Sequence, residues 1–298
     1  MTDKTPKIAV VGIPGKWSTE VLADAVEAKT GFRLVIDIEQ VVADLSSNEV
    51  TYRDHSLCNL DAIIVKKISQ TYSPTVIDRL EILRFVEKCG VKVFSKPSEI
   101  IRLVDRMSCT ISLNRADIPM PPTVITENLD AAVETVKTYG EAILKPLFST
   151  KARGMEVLKA KDGDKSLRQQ LQAYYGKQGF LYLQKKLNLH GQDMGLVFLG
   201  GQYLGAYARI SGDKSWNTTI YAGGKYAPAT PCAETIAFAQ KAQAQFDLSY
   251  TTVDMAETED GPVCFEVSAF GGFKGAQEGL QLDIADQYAQ FVIDTLNT

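Results

Sequence analysis

Residues 252–268 leave the chain little conformational choice. Thr252-Val253-Asp254-Met255-Ala256 and Val263-Cys264-Phe265-Glu266-Val267-Ser268 are β-type runs, and Glu257-Thr258-Glu259-Asp260-Gly261-Pro262 between them is an acidic Gly/Pro turn. The pattern predicts a hairpin. With Glu259 to Gly261 as a three-residue loop, Asp254 and Glu266 lie directly opposite each other, and strand alternation puts Ser268 on their face. Val253, Met255, Phe265 and Val267 then face the other way. Like charges opposite one another on a sheet repel, so the pair makes physical sense with a cation between them. Mg²⁺ is the natural candidate and Mn²⁺ the alternative. The competing reading is a solvated face with two exposed acids, which the apolar opposite face weakens.

A chain of 298 residues is too long for one small core and predicts two or three lobes. Its 32 basic and 36 acidic residues give a net charge of −4, without the basic bias of a general nucleic-acid binder, so no nucleic-acid partner is expected. No apolar run approaches the length of a membrane span, and Met1-Thr2-Asp3-Lys4 leads into a strand without a signal-peptide core. A cytoplasmic protein with no membrane partner is expected. Cys58, Cys89, Cys109, Cys232 and Cys264 are odd in number and widely spaced, which speaks against a disulfide framework or a cysteine zinc site. They read as small buried hydrophobes. His55 and His190 are too few for a histidine-rich metal centre.

Along the chain, strand signals at 7–11, 32–38, 61–65 and 91–94 alternate with helical ones at 18–29 and 74–89, closed by Gly31 and Gly90. This predicts a small parallel α/β domain over 1–96. Ser98 is the expected cap of a third helix with Ile100, Ile101, Leu103, Val104, Met107, Ile111 and Leu113 on its apolar side, ending before Pro119-Met120-Pro121-Pro122. Strands at 123–125, 142–145, 155–158 and 180–184, with an Asn128-capped helix to Gly140 and a helix at 167–175, predict a second lobe over 97–184. In the third, 185–298, a hairpin of 194–199 with 202–210 turns at Gly200-Gly201. A helix runs from Thr230-Pro231 to Phe246, the acidic hairpin follows, and a last helix covers 284–296.

Two loops could meet phosphate. Val11-Gly12-Ile13-Pro14-Gly15-Lys16-Trp17-Ser18 lacks the first glycine and the hydroxyl residue of a P-loop, and also the spacing of a dinucleotide turn, so it reads as a strand-to-helix turn. Ile143-Leu144-Lys145-Pro146-Leu147-Phe148-Ser149-Thr150-Lys151-Ala152-Arg153-Gly154 is different in kind. Lys145 emerges from an apolar strand as a point charge, and the loop after it offers amides, hydroxyls and the cations Lys151 and Arg153. By itself this layout favours an edge lysine beside a solvated hairpin over a phosphate site.

In combination, the strand lysine with its loop, the strand and hinge at Gln184-Lys185-Lys186-Leu187, and the terminal Asp…Glu-x-Ser hairpin resemble the ATP-grasp superfamily. Within it they resemble the RimK branch of carboxylate–amine (glutamate) ligases, over about residues 97–284. A further resemblance is to the RimK-like "GAK system" ATP-grasp group. The resemblance implies an α/β ATP-grasp fold behind an N-terminal pre-grasp domain (1–96), with a central lobe bearing the phosphate lid (97–184) and a C-terminal lobe bearing the metal hairpin (185–298). ATP and Mg²⁺ follow as cofactors. Val104-Asp105-Arg106-Met107 stands at the family's Asp-Lys-Met, so Arg106 takes the place of a phosphate-binding lysine. Lys145 matches the second such lysine, and Ser149 to Gly154, including Thr150, Lys151 and Arg153, match the glycine-rich lid, of whose glycines only Gly154 is kept. Gln184, Lys185, Lys186 and Leu187 match the adenine hinge, with Lys185 in place of Glu. Asp193-Met194-Gly195 falls on Asp-x-Arg, so a basic contact is lost at Gly195. Arg209 matches an arginine that stabilises the transferred phosphoryl group. Ser215-Trp216-Asn217-Thr218-Thr219 stands at an aromatic-Arg-x-Asn run, with Asn217 and Thr219 as departures. Asp254, Glu266 and Ser268 match the metal triad, Ser268 replacing asparagine. Lys274, in Phe270 to Gly275, stands in the substrate loop.

The resemblance implies an ATP-dependent ligase that forms an amide through an acyl phosphate, joining glutamate or a similar amino acid to a small-molecule or peptide carboxylate, with a homo-oligomer as a further possibility. Three alternatives stay open. One is an ATP-binding regulatory protein, motivated by Gly195, Asn217, Thr219 and Ser268; the others are an ATP-grasp phosphotransferase and an α/β domain for another small ligand.

Overall fold

The structure, a computed structural model, describes residues 5–150, 152–211, 218 and 223–298. The chain opens with β1 (Ile8–Val11), α1 (Trp17–Thr30) and β2 (Val35–Ile36), continues through β3 (Val42–Asp44), β4 (Glu49–Tyr52) and β5 (His55–Ser56), and then forms β6 (Ala62–Val65), α2 (Thr75–Lys88) and β7 (Lys92–Phe94). β1 and β6 are unbroken apolar runs, as a strand buried on both faces must be, and they pair in parallel in the order β2-β1-β6-β7. α1 stops at Gly31, whose φ of 68° is the left-handed conformation glycine adopts without strain. Two expectations need correction. The second strand is two residues long, and 42–56 forms a three-stranded antiparallel sheet, β3-β4-β5, too short and polar to leave an alternation in the sequence.

The expected third helix is two: α3 (Pro97–Val104) and α4 (Arg106–Arg115). Pro97, not Ser98, opens the first. Asp105 breaks the run with extended backbone and accepts a hydrogen bond from the Met107 amide, capping α4, so Arg106 begins a helix rather than lying inside one.

Next come β8 (Thr123–Thr126), α5 (Leu129–Tyr139), β9 (Glu141–Leu144), β10 (Glu156–Lys159), α6 (Asp164–Gln178) and β11 (Leu181–Lys185), in an antiparallel sheet ordered β10-β9-β11-β8. Asn128 caps α5 as expected, accepting from the amides of Asp130 and Ala131. Ala132, Val136, Leu144, Leu158, Leu167, Leu171, Leu181 and Leu183 form the core beneath this sheet.

The last sheet has the order β14-β13-β12-β15-β16, built from β12 (Gln192–Leu199), β13 (Gln202–Ile210), β14 (Lys225–Ala229), β15 (Tyr250–Thr258) and β16 (Gly261–Ser268), with α7 (Ala233–Gln243), α8 (Phe273–Leu280) and α9 (Ile284–Asn297). Leu196, Val253, Met255 and Val267 bury one face against α7 and the N-terminal layer, while Val197, Tyr207 and Tyr250 bury the other against α1, α8 and α9. α8 was not expected; it starts within the stretch read as a substrate loop.

Cys109 and Cys264 are buried, as expected. Cys58 is half-buried and Cys89 and Cys232 are exposed, because each lies in a turn or caps a helix instead of sitting inside a packed element. Among the described residues no helix is long and apolar enough to cross a membrane.

Candidate active site

The acidic hairpin pairs Asp254 with Glu266 as expected, by a different route. The turn is the two residues between Thr258 and Gly261, which alone would set Glu266 one position out of register. A β-bulge at Phe265 restores it, since Met255 pairs with Cys264 and Asp254 with Glu266. Phe265 is therefore not on the opposite face with Val253 and Met255. It lines a cavity of about 350 Å³ together with Asp254, Glu266 and Ser268.

Further walls of that cavity come from β9, β11 and α4. Lys145, at the end of β9, is 7% exposed and donates to Gln184 Oε1 at 2.5 Å, and Gln184 donates to Thr123 at 3.0 Å. Its ammonium lies 5.5 Å from the centre of the Phe265 ring. Burial, with the Arg106 charge nearby, pushes Lys145 down to about 7 against the pull of Glu266 and Asp254. An anion entering the cavity would favour the charged form. Arg106 binds three ways: its amide and Nε donate to the carbonyls of Leu147 and Pro146, each at 3.1 Å, and Nη1 meets Glu266 at 2.9 Å. The arginine fork thus ties the base of the loop after β9 to the acidic hairpin, a geometry a lysine cannot reproduce.

Arg209, on β13, is held bidentately by Asp193 at 2.5 and 3.0 Å and reaches Asp254 Oδ2 at 3.1 Å. Burial pushes the Asp254 carboxyl up, and Arg209 pulls it back. Asp254 Oδ1 is buried and has no hydrogen-bond partner among the described residues. An unpartnered buried acceptor costs about 1–3 kcal/mol, and more when charged, so this oxygen calls for a ligand. Asp254, Glu266 and the Ser268 hydroxyl fit a hard divalent cation. No cluster of three or more His, Cys, Asp or Glu suited to a metal occurs among the described residues, and the third oxygen beside this carboxylate pair is the Ser268 hydroxyl.

The remaining expected residues divide. Ser149 and Thr150 line the cavity, as do Gln184, Lys185, Lys186, Leu187 and Asp193. Lys186 is tied to Glu141 twice, its ammonium to the carboxylate at 2.6 Å and its amide to the carbonyl at 3.0 Å. Arg153 turns to the Gln70 carbonyl at 3.3 Å, joining the loop after β9 to the N-terminal layer, and Gly154 takes φ 70° against Pro146. Lys274 lies in the first turn of α8, largely exposed and facing Glu278, and does not line the cavity; the helix, not a loop, decides where it points. Lys151, Ser215 to Asn217 and Thr219 lie outside the described residues. At Gly195 a side chain would overlap the Tyr207 ring, which is buried among Gly195, Gly275 and Gly279.

Sequence reading missed Lys67, Tyr72 and Thr110, all on the cavity wall, where Phe270 of the expected substrate loop joins them. Lys67 donates to the Tyr72 hydroxyl at 3.2 Å and sits over the Tyr72 and Phe270 rings. A signal existed, because Lys66 and Lys67 follow the apolar strand β6 just as Lys145 follows β9.

Comparison with known proteins agrees with this geometry. Residues 104–292 match the RimK-like ATP-grasp domain. The chain is 26% identical over 262 residues to the tetrahydromethanopterin:alpha-L-glutamate ligase of Methanosarcina acetivorans, covering 82% of this chain and 80% of that one. It is 27% identical over 293 residues to a probable alpha-L-glutamate ligase of Hydrogenovibrio crunogenus, covering 96% and 95%. Among solved structures, the ATP-grasp ligase PsnB, complexed with a phosphomimetic variant of its minimal precursor, Mg and ADP, superposes with a TM-score of 0.76 at 17% identity, over 99% of this chain and 100% of that one. A RimK domain protein from Sphaerobacter thermophilus gives 0.74 at 19% identity, over 96% and 98%. With the buried lysine, the bridging arginine and the paired carboxylates gathered on one cavity of an ATP-grasp fold, this chain belongs to the RimK-like ATP-grasp family.

Proposed function

We propose that the chain is an ATP-dependent carboxylate–amine ligase that activates a substrate carboxylate as an acyl phosphate, which an amine opens to an amide with release of ADP and phosphate. The observation that carries this reading is the convergence on one cavity of buried Lys145, the arginines Arg106 and Arg209, and a carboxylate pair with an unpartnered oxygen. Positioning and charge neutralisation, with little covalent chemistry, are what phosphoryl transfer asks of a protein. Backbone groups of 184–187 face adenine in this reading, and Lys145, Arg106 and the loop 149–154 hold phosphate. Asp254, Glu266 and Ser268 hold Mg²⁺, or Mn²⁺ in its place, whose role when bound is to neutralise phosphate oxygens. Arg209, oriented by Asp193, stabilises charge on the transferred group. The wall of Lys67, Tyr72 and Phe270 takes the substrate carboxylate, a cation set between two ring faces.

The names of the relatives favour glutamate as the amino acid, joined to a small-molecule or peptide carboxylate. We also propose lobes at 1–96, 97–184 and 185–298, with a self-contained core supporting the 123–184 part of the second while α3 and α4 pack in the core shared with the N-terminal layer, and a cytoplasmic setting. The Tyr207 ring, which fills the space at Gly195, favours a second reading: a nucleotide-binding protein with altered or weakened catalysis.

Incubation with Mg-ATP, a panel of amino acids and carboxylate acceptors, followed by mass spectrometry, separates these readings. Amide plus ADP and phosphate supports the ligase, and a stable phosphorylated acceptor supports a phosphotransferase. Tight ATP binding without substrate-stimulated turnover supports the regulatory reading. Glu266→Ala is expected to lower Mg-ATP binding or turnover at least about tenfold, near 1.4 kcal/mol; wild-type behaviour would remove the metal assignment.

A further inference from the structure

Away from the nucleotide cavity, two thiols meet on the N-terminal layer. Cys58 lies in the 3₁₀ turn Leu57–Asn59 after β5, and Cys89 caps the C-terminus of α2. They are 31 positions apart in sequence, with sulfur atoms 2.7 Å apart. Each is held by an anchored backbone. Leu57 and Val86 are fully buried; the Leu60 amide closes the turn on the Leu57 carbonyl at 3.3 Å, and the Cys89 amide donates to Val86 at 3.0 Å. The thiols therefore face each other because two packed elements put them there, and the geometry is within about 1 Å of bonding distance. Cys89 is exposed and Cys58 half-exposed, so small reagents reach the pair, whereas Cys109 and Cys264 are buried. The contact with Cys58, with a smaller contribution from burial, also pushes the Cys89 thiol up to about 11.

We propose that Cys58 and Cys89 form a reversible dithiol–disulfide site, oxidised by a peroxide or by a small disulfide such as oxidised glutathione. With hydrogen peroxide, one thiolate attacks an oxygen and breaks the O–O bond, giving a sulfenic acid and, after proton transfer, water. The second sulfur, losing its proton, attacks the first and expels its hydroxyl as a second water, so two thiols and one peroxide give one disulfide and two waters. With a small disulfide, two exchange steps release two small thiols. The bond would join the 3₁₀ turn to the end of α2, the helix that begins just after the Tyr72 wall of the cavity.

The test treats the full-length protein with hydrogen peroxide or oxidised glutathione, alkylates the remaining thiols, and maps peptides by mass spectrometry. A loss of two hydrogens in the intact mass, a Cys58–Cys89 cross-linked peptide, and full reversal by dithiothreitol are expected. A Cys232→Ser protein, lacking the other exposed thiol, is expected to give the same cross-link. Free alkylation of both cysteines after oxidation would overturn the proposal. So would oxygen added to either one without a cross-link, or oxidation lodged only at Cys232.

Discussion

The β8–β11 sheet and the β12–β16 sheet wall the same cavity but are anchored in opposite ways. The first lies on a core drawn only from its own strands and from α5 and α6. The second has no private core, because one face packs with α2, α3 and α4 and the N-terminal sheet, and the other with α1, α8 and α9. Lys145 and Gln184 thus ride on a self-contained body, while Asp254, Glu266 and Arg209 belong to one fused with most of the chain. What joins the two around the cavity is chiefly polar. Arg106 reaches Pro146 and Glu266, Arg153 reaches Gln70, and the hydroxyls of Thr110 and Tyr182 meet at 2.9 Å. Polar contacts of this kind separate at less cost than an apolar interface. On the proposed function, the difference predicts that an opening for nucleotide entry runs along the edge of the β8–β11 sheet.

Phe246→Ala puts the fused body to the strongest test. It empties a fully buried site in the shared core, with an expected loss of about 3–5 kcal/mol, and hydrogen exchange should accelerate together in β1, β6, β12 and β15. Acceleration confined to β12–β16 would mean that the two layers are not one body. Leu183→Ala, expected to cost about 2–5 kcal/mol, should speed exchange within 123–185 and leave β15 protected; spread to β15 would erase the contrast.

Lys66 offers a pH-based version of the same comparison. It is 4% exposed and donates to the Gly271 carbonyl at 2.9 Å, joining the end of β6 to the segment after β16. Burial, with Lys67 beside it, lowers its pKa from 10.5 to about 7. Between those values the unfolded chain holds a proton that the native protein lacks, so stability rises with pH across the window, by up to about 1.4 kcal/mol per unit. Lys145, lowered to the same value, adds a rise of its own, so urea titrations should show a shallower slope in Lys66→Met than in the wild type; equal slopes would refute the Lys66 contribution. The smallest effect is expected from Thr110→Val, about 1 kcal/mol in denaturant unfolding, through loss of one buried hydroxyl pair between the bodies.

Much of this arrangement was legible in the residues. The unbroken apolar runs at β1 and β6, glycine after α1, Asn128 before α5 and the Gly200-Gly201 turn each have a local physical cause, and each was found where expected. Asp254 and Glu266 were paired correctly, yet Phe265 was put on the wrong face, because a bulge leaves no composition signal. The break at Asp105 escaped for a similar reason, since apolar spacing continues across it while the cap makes two helices. Lys67 and Tyr72 reach the cavity only when the N-terminal layer docks, and local patterning does not encode docking.

The glycines around Tyr207 bear on the order in which this site can change. Any side chain at 195 meets a ring that Gly275 and Gly279 confine from other directions, so an arginine placed there alone has nowhere to go. A smaller residue at 207 must come first, and that step opens a hole in a buried core before it brings any benefit. Substitution at 195 is thereby gated by 207, and catalytic repertoire and packing must be renegotiated as a pair.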